Sequence, residues 1–211
     1  MKIEKNEQTP QQNTEKSEQI AAPDIGAKRR GRRIAAELAK CAVFVVLMVV
    51  AAKISIPFYP VALTFQTVVA VLAGLLLGPK YGSAAMAVYV FIGLVGLPVF
   101  TSGGGFAYVV QVTFGYTIGF IAAAFAAGLA AGKGTLSLRR AVIAGLVGFF
   151  VNYLVGIPYF ACIWAFYLHN GGLWQIIVTG NLLYMPKDLV LCILAAFLAW
   201  RVRPLLGRLS A

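Results

Sequence analysis

The sequence predicts an all-α, polytopic membrane protein with six transmembrane helices. Three observations carry this. Of 211 residues, 60% are hydrophobic and only 12% are charged, about half the charged share of an ordinary soluble domain. The apolar residues fall into runs near the roughly 20 residues that a span requires. The charges are also segregated. Eight of 18 basic residues and five of seven acids lie in the first 33 positions. The remaining charges fall mostly between hydrophobic runs, where orientation determinants belong. The formal net charge of +11 therefore reads as membrane topology rather than nucleic-acid binding.

Residues 1–33 read as a disordered, basic cytoplasmic tail, and residues 34–211 as a single six-helix membrane domain. The tail is long and polar and lacks a cleavage-type site after the first apolar run, so it does not read as a signal peptide. Its last segment, Lys28-Arg29-Arg30-Gly31-Arg32-Arg33, precedes a hydrophobic run and reads as an anchor on anionic lipid.

Helix 1 is expected from about Ile34 to Ile54, with Pro57 and Pro60 ending it. Helix 2 follows from about Thr64 to Leu77 and stops at Gly78-Pro79-Lys80. Helix 3 runs from about Gly82 to Leu97, before Pro98. Helix 4 covers about Tyr108 to Ala131 and helix 5 about Arg140 to Ala165. The stretch Tyr167 to Tyr184 reads as interfacial. Helix 6 starts near Pro186, a favoured first helical position, and runs to about Arg203. This count leaves the loops near 55–63, 98–107 and 166–172 without Lys or Arg. The positive-inside rule then puts both termini in the cytoplasm.

The chemistry concentrates at Leu183 to Cys192. Asp188 is the only acid after Glu37, and a charge in membrane-grade sequence is costly enough to need a partner or a purpose. Two readings stand. Asp188 is favoured by the helix N-terminal dipole, with Lys187 as an interfacial cation, or both contact a ligand. As sequence neighbours on a helix, the two are expected to point apart. The outer-side loops Ser55–Gln66 and Pro98–Tyr108 carry irregular backbone, which membrane depth tolerates only inside protein or around a cavity. A pocket there would have apolar and aromatic walls from Phe58, Tyr89 and Tyr108. Its polar groups would be Gln66, Ser102 and the glycines Gly103 and Gly104, which allow close backbone approach. Gln66 and Thr67 serve equally as helix-start caps. Asn152 and Tyr153 are polar groups inside a span, and Asn152 reads as an interhelical hydrogen-bonding residue.

Small residues recur every four positions. The stripe Gly115, Gly119, Ala123, Ala127, Ala131 suggests tight packing, and Ala35 with Ala39 suggests a second close-contact face on helix 1. The three cysteines form no CxxC and have no companion His, so they read as small buried hydrophobes. No P-loop is present, and no nucleophile–base–acid set for catalysis is apparent. Binding, not chemistry, is expected, and no metal or cofactor is called for.

Several runs resemble the BioY family. They are Pro57-Phe-Tyr-Pro-Val-Ala-Leu-Thr-Phe-Gln66-Thr67 and Leu72-Ala-Gly-Leu-Leu-Leu-Gly78-Pro-Lys-Tyr-Gly82. Tyr89-xxx-Gly93-xx-Gly96-Leu-Pro98-Val-Phe100, Gly115-Tyr116-xx-Gly119-Phe120 and Pro186-Lys-Asp188 complete the set. The resemblance covers nearly the whole chain beyond the tail. It implies an S-component-like bundle that binds biotin at the outer face of a prokaryotic cell membrane. The implied partners are a transmembrane coupling subunit and two cytoplasmic ATPase subunits of an energy-coupling factor (ECF) module, so ATP is used by those partners only. Ala35 and Ala39 then become the docking face for the coupling subunit. Many members read Pro-Gly-Asp-x-x-Lys at helix 6. Here Lys187 stands at the Gly position and Leu191 at the Lys position, so the cation facing the biotin carboxylate is open between Lys187 and other groups. Two other readings remain: an S component for a different vitamin, and a structural membrane subunit with no small ligand.

Overall fold

The computed structural model describes residues 25–56, 63–169, 171–179 and 184–209. The chain divides into two units, Met1–Ala36 and Glu37–Ala211. The first is described only over 25–36, all of it helical. The second contains the remainder of the helices and the candidate site.

Helix α1 runs Ile25–Lys53, beginning well before Ile34. Ala, Arg and Lys are good helix formers, so the basic run extends the helix. A two-residue strand pair follows, β1 (Ser55–Ile56) with β2 (Leu63–Thr64), in antiparallel register with Ser55 opposite Thr64. Helix α2 is Gln66–Leu94. A 3₁₀ turn (Phe106–Val110) leads into α3 (Phe114–Ala131). Helix α4 is Leu138–Cys162, continued by a π-helical turn at Ile163–Tyr167. The short α5 (Leu173–Ile177) and the long α6 (Met185–Leu209) complete the order.

Helix α2 is folded back on itself. Gly78 has φ 81° and ψ 179°, a conformation that breaks the helix, and Pro79 follows it. Gln66 Nε2 nevertheless donates to Tyr89 Oη at 2.8 Å. A straight helix would hold residues 23 apart at about 35 Å. The expected helices 2 and 3 are therefore the two arms of a hairpin. The expected start of helix 4 at Tyr108 is also displaced. Residues 106–110 are 3₁₀ and Gln111 is extended, because the glycine run before them fixes this segment against the end of α2 instead of extending α3.

Close packing depends on the small residues. Gly115, Gly119, Ala123, Ala127 and Ala131 are all buried on α3, which bears out the stripe as an internal face. A Cβ at Gly74 would collide with the Ala124 carbonyl, and one at Gly128 with the Gly78–Pro79 peptide. Backbone thus meets backbone at both places, and only glycine permits that distance. Phe44 and Met48 of α1 join Tyr89, Phe100, Tyr108 and Phe114 in one buried cluster. A second cluster joins Val71, Phe149, Tyr153, Cys192 and Ala196. Outward, the same helices show large apolar side chains, including Val46 on α1, Phe91 on α2 and Leu154 on α4. Among the described residues, four helices are long and apolar enough to cross a membrane: Arg30–Lys53, Gln66–Leu94, Phe114–Ala131 and Leu138–Tyr167. The molecule is a multi-pass, all-α membrane protein.

These contacts define two ends. Gly78, Gly128, Gly132 and the start of α4 meet at one. Lys53, the β1–β2 pair, Gln66, the 95–113 segment and the start of α6 lie toward the other.

Candidate functional site

Asp188 occupies the first turn of α6, and its side chain turns inward. The residue is 6% exposed. Tyr153 Oη, from the middle of α4, donates to Asp188 Oδ2 at 2.8 Å. Thr67 Oγ1, from the first turn of α2, donates to the same oxygen at 3.3 Å. Asn152 Nδ2 reaches Thr67 Oγ1 at 3.4 Å. Three helices thus share one buried polar cluster. The Tyr116 ring stands edge-on to Tyr153 at 5.6 Å and Cys192 lies one turn further along α6, fully buried, so the cluster has an apolar surround. In such a setting a carboxylate is tolerable only because it is hydrogen-bonded and paired.

The pairing is with Lys187, whose Nζ lies 2.7 Å from Asp188 Oδ1. That oxygen has no aligned hydrogen bond, so the contact is ionic and Oδ1 keeps accepting capacity. Lys187 Nζ also donates to the Thr64 carbonyl at 2.6 Å and sits 5.7 Å from the Phe65 ring centroid. The expectation that Lys187 and Asp188 would not be partners is corrected here. Their Cβ directions do diverge, one residue being buried and the other half-exposed. The flexible four-carbon Lys stem, on a partly exposed helix start, bends back across that divergence.

A second network lies one residue away on α2. Gln66 is buried and spends both ends of its amide. Nε2 donates to Tyr89 Oη, and Oε1 accepts from Thr101 Oγ1 at 3.1 Å. Tyr89 Oη in turn donates to the Val99 carbonyl at 3.2 Å. Of the two sequence readings for Gln66, the helix-start cap is not what its side chain does. The side chain is a tie between the α2 arms and the 99–101 loop. Lys53, at the end of α1, reaches the same loop and donates to the Phe100 carbonyl at 2.9 Å. Phe100 is nearly fully buried and packs on Tyr89 and Tyr108 at centroid distances of 5.5 and 4.4 Å.

Of the residues singled out from sequence, Asp188 and Lys187 come together. Gln66, Tyr89 and Tyr108 gather around the 99–101 loop. Ser102 and Gly104 are exposed on that loop. Gly103, at φ 117°, pairs with Phe100 through Phe100 N–H to Gly103 O at 2.9 Å. Gly104 uses its missing side chain for the chain itself, since a Cβ there would strike the Leu97 carbonyl. Phe58 lies outside the described residues. Ala35 and Ala39 are both exposed on α1. The sequence reading did not place Tyr153, Thr101 or Lys53 in the site. The adjacent Asn152-Tyr153 pair inside an apolar span was the available signal, because two polar groups at membrane depth imply a shared partner.

The sequence profile of the BioY family matches residues 17–208. A probable biotin transporter BioY of Lysinibacillus sphaericus is 38% identical over 167 residues, covering 78% of this chain and 85% of that protein. The biotin transporter BioY of Thermotoga maritima is 37% identical over 170 residues, covering 80% and 96% respectively. Among solved structures, the S-component for biotin from an ECF-type ABC transporter superposes with a TM-score of 0.67 at 25% identity. It covers 82% of this chain and 93% of that one. The fold match, the near-complete profile match and these identities agree with the motif resemblance, and the chain belongs to the BioY family.

Proposed function

We propose that this chain is the substrate-capture (S) subunit of a biotin uptake transporter. The names of its relatives support the substrate. The observation that carries the reading is Asp188: a buried carboxylate with Oδ2 fixed by Tyr153 and Thr67 and Oδ1 left able to accept. Biotin's ureido ring offers N–H donors, and a charge-assisted bond to Asp188 Oδ1 is stronger than a neutral one. Lys187 balances the Asp188 charge. It is engaged by Asp188 and the Thr64 carbonyl, so the ligand's carboxylate goes to Lys53, whose hydrogen bond among the described residues is to a neutral carbonyl and leaves its charge to be matched. Ser102 and the backbone of Gly103 add donors on the loop that Lys53 holds.

The α1 helix, both arms of α2, α3, α4 and α6 make six crossings, with the end bearing Lys80, Lys133, Arg139 and Arg140 in the cytoplasm. Both termini are then cytoplasmic in a prokaryotic cell membrane. Delivery goes through an ECF module of coupling subunit and two ATPases, with Ala35 and Ala39 on the docking face; co-purification of those subunits checks this. Titration calorimetry of the purified protein with biotin and with its carboxamide tests the binding reading. Biotin binds and the carboxamide binds less well. Lys53→Met removes the difference, and no heat with biotin refutes the proposal.

A further inference from the structure

The end of the bundle away from Asp188 holds an unmatched charge. Arg203, fifteen residues along α6 from Asp188, turns its guanidinium inward, and Nη2 donates to the Gly132 carbonyl. Its Nη1 is buried and has no hydrogen-bond partner. Arg140, from the first turn of α4, covers the same glycine: a Cβ at Gly132 would lie 2.5 Å from Arg140 Nη2. Two guanidiniums from different helices therefore converge on one C-terminal helix end. The exposed carbonyls of α3 attract them, but a carbonyl dipole does not neutralise two full charges.

No carboxylate is available to do so among the described residues. Of the chain's seven acids, only Glu37 and Asp188 lie there. Each is already ion-paired, with Lys40 at 2.8 Å and with Lys187 at 2.7 Å. Buried or half-buried charge persists when an opposite charge accompanies it. The missing anion must come from outside the described fold. Its depth is marked by neighbouring groups. The Arg201 guanidinium lies over the Trp200 and Phe197 rings at 4.7 and 5.6 Å, and a Trp with a stacked cation is the signature of the membrane–water boundary. The anion abundant at that boundary is the phosphodiester of a phospholipid, and Arg is the side chain that binds phosphate through two parallel donors.

We propose that Arg140 and Arg203, with the α3 end at Gly132, form a site for the phosphate of an anionic phospholipid headgroup. Arg140 is the exposed half and makes first contact. Arg203 is the fixed half that holds positive potential beneath it. A lipid seated there ties α3, α4 and α6 together where they carry no direct acid–base pair.

The test uses the full chain, delipidated in neutral detergent and titrated with phosphatidylglycerol, phosphatidylcholine or inorganic phosphate while its unfolding temperature is followed. Phosphatidylglycerol at about a hundred times its dissociation constant should raise that temperature by about 5 °C or more, with a smaller effect of phosphatidylcholine. Arg140→Gln should weaken the phosphatidylglycerol response at least tenfold in apparent affinity. Arg139→Gln, the same charge change one position away on another helix face, should leave it intact. Equal losses in the two variants would mean diffuse surface charge and overturn the site. An equal gain with inorganic phosphate would overturn the lipid assignment. No gain with any of the three would mean that another part of the chain or a partner supplies the anion.

Discussion

Replacing Lys187 by Met tests whether the Lys187–Asp188 contact stabilises the α6 start or merely decorates it. The ammonium is 2.7 Å from Oδ1, with side chains 25% and 8% exposed. Removing it leaves Asp188 buried with Tyr153 and Thr67 on Oδ2 and no counter-charge. Breaking a buried pair costs about 3–5 kcal/mol, and the partial exposure of the Lys end places this one near or below the low end, about 2–3 kcal/mol. For a chain of this size that is a fall of about 4–12 °C in unfolding temperature. Asp188→Asn is milder, about 1 kcal/mol, because the freed ammonium keeps its Thr64 carbonyl bond and can reach water. The double variant should resemble Asp188→Asn alone. The cycle then gives a coupling energy of about 2–3 kcal/mol. Thermal unfolding in detergent of the four proteins measures it. Additive losses would refute the pairing.

Two further outcomes follow from the same geometry. Gly119→Ala puts a methyl group against Asn152 Oδ1 and within 3.1 Å of the Asn152 carbonyl. The strain should cost about 1–3 kcal/mol, and a wild-type unfolding temperature in this variant would contradict the α3–α4 contact. Gln66→Leu strands the Tyr89 hydroxyl oxygen as an acceptor and the Thr101 hydroxyl as a donor, at a loss of about 1–3 kcal/mol. Amide exchange should quicken at residues 99–103 and stay unchanged in α6; uniform exchange across both would contradict the tie.

The helical bundle was legible because its signals are local. Gly78-Pro79 announces a break, and the structure makes that break a hairpin. The stripe of small residues at every fourth position on α3 announces a packed face, and all five of its members are buried. Asp188 was legible for the opposite reason, as an acid where membrane sequence rarely keeps one. What remained hidden depends on separation in sequence. Thr67 meets Asp188 across 121 positions and Lys53 meets Phe100 across 47, and no local pattern reports such distances. Lys187 was misread because adjacency on a helix constrains Cβ directions but not the tip of a long, flexible side chain. The glycine loop reads equally as a turn or as a close approach for a ligand, and Gly104 and Gly105 pack against the end of α2 and the turn after it. Gly105 N–H donates to the Gly93 carbonyl at 2.7 Å.

The central claim is that Asp188 receives the ligand, and calorimetric titration of biotin into wild-type protein and Asp188→Asn measures it most directly. Losing one charge-assisted hydrogen bond of about 1.5–3 kcal/mol corresponds to about 10–100-fold weaker binding. The account predicts that loss in a variant that still unfolds cooperatively near the wild-type temperature. Equal affinity in the two proteins would contradict it.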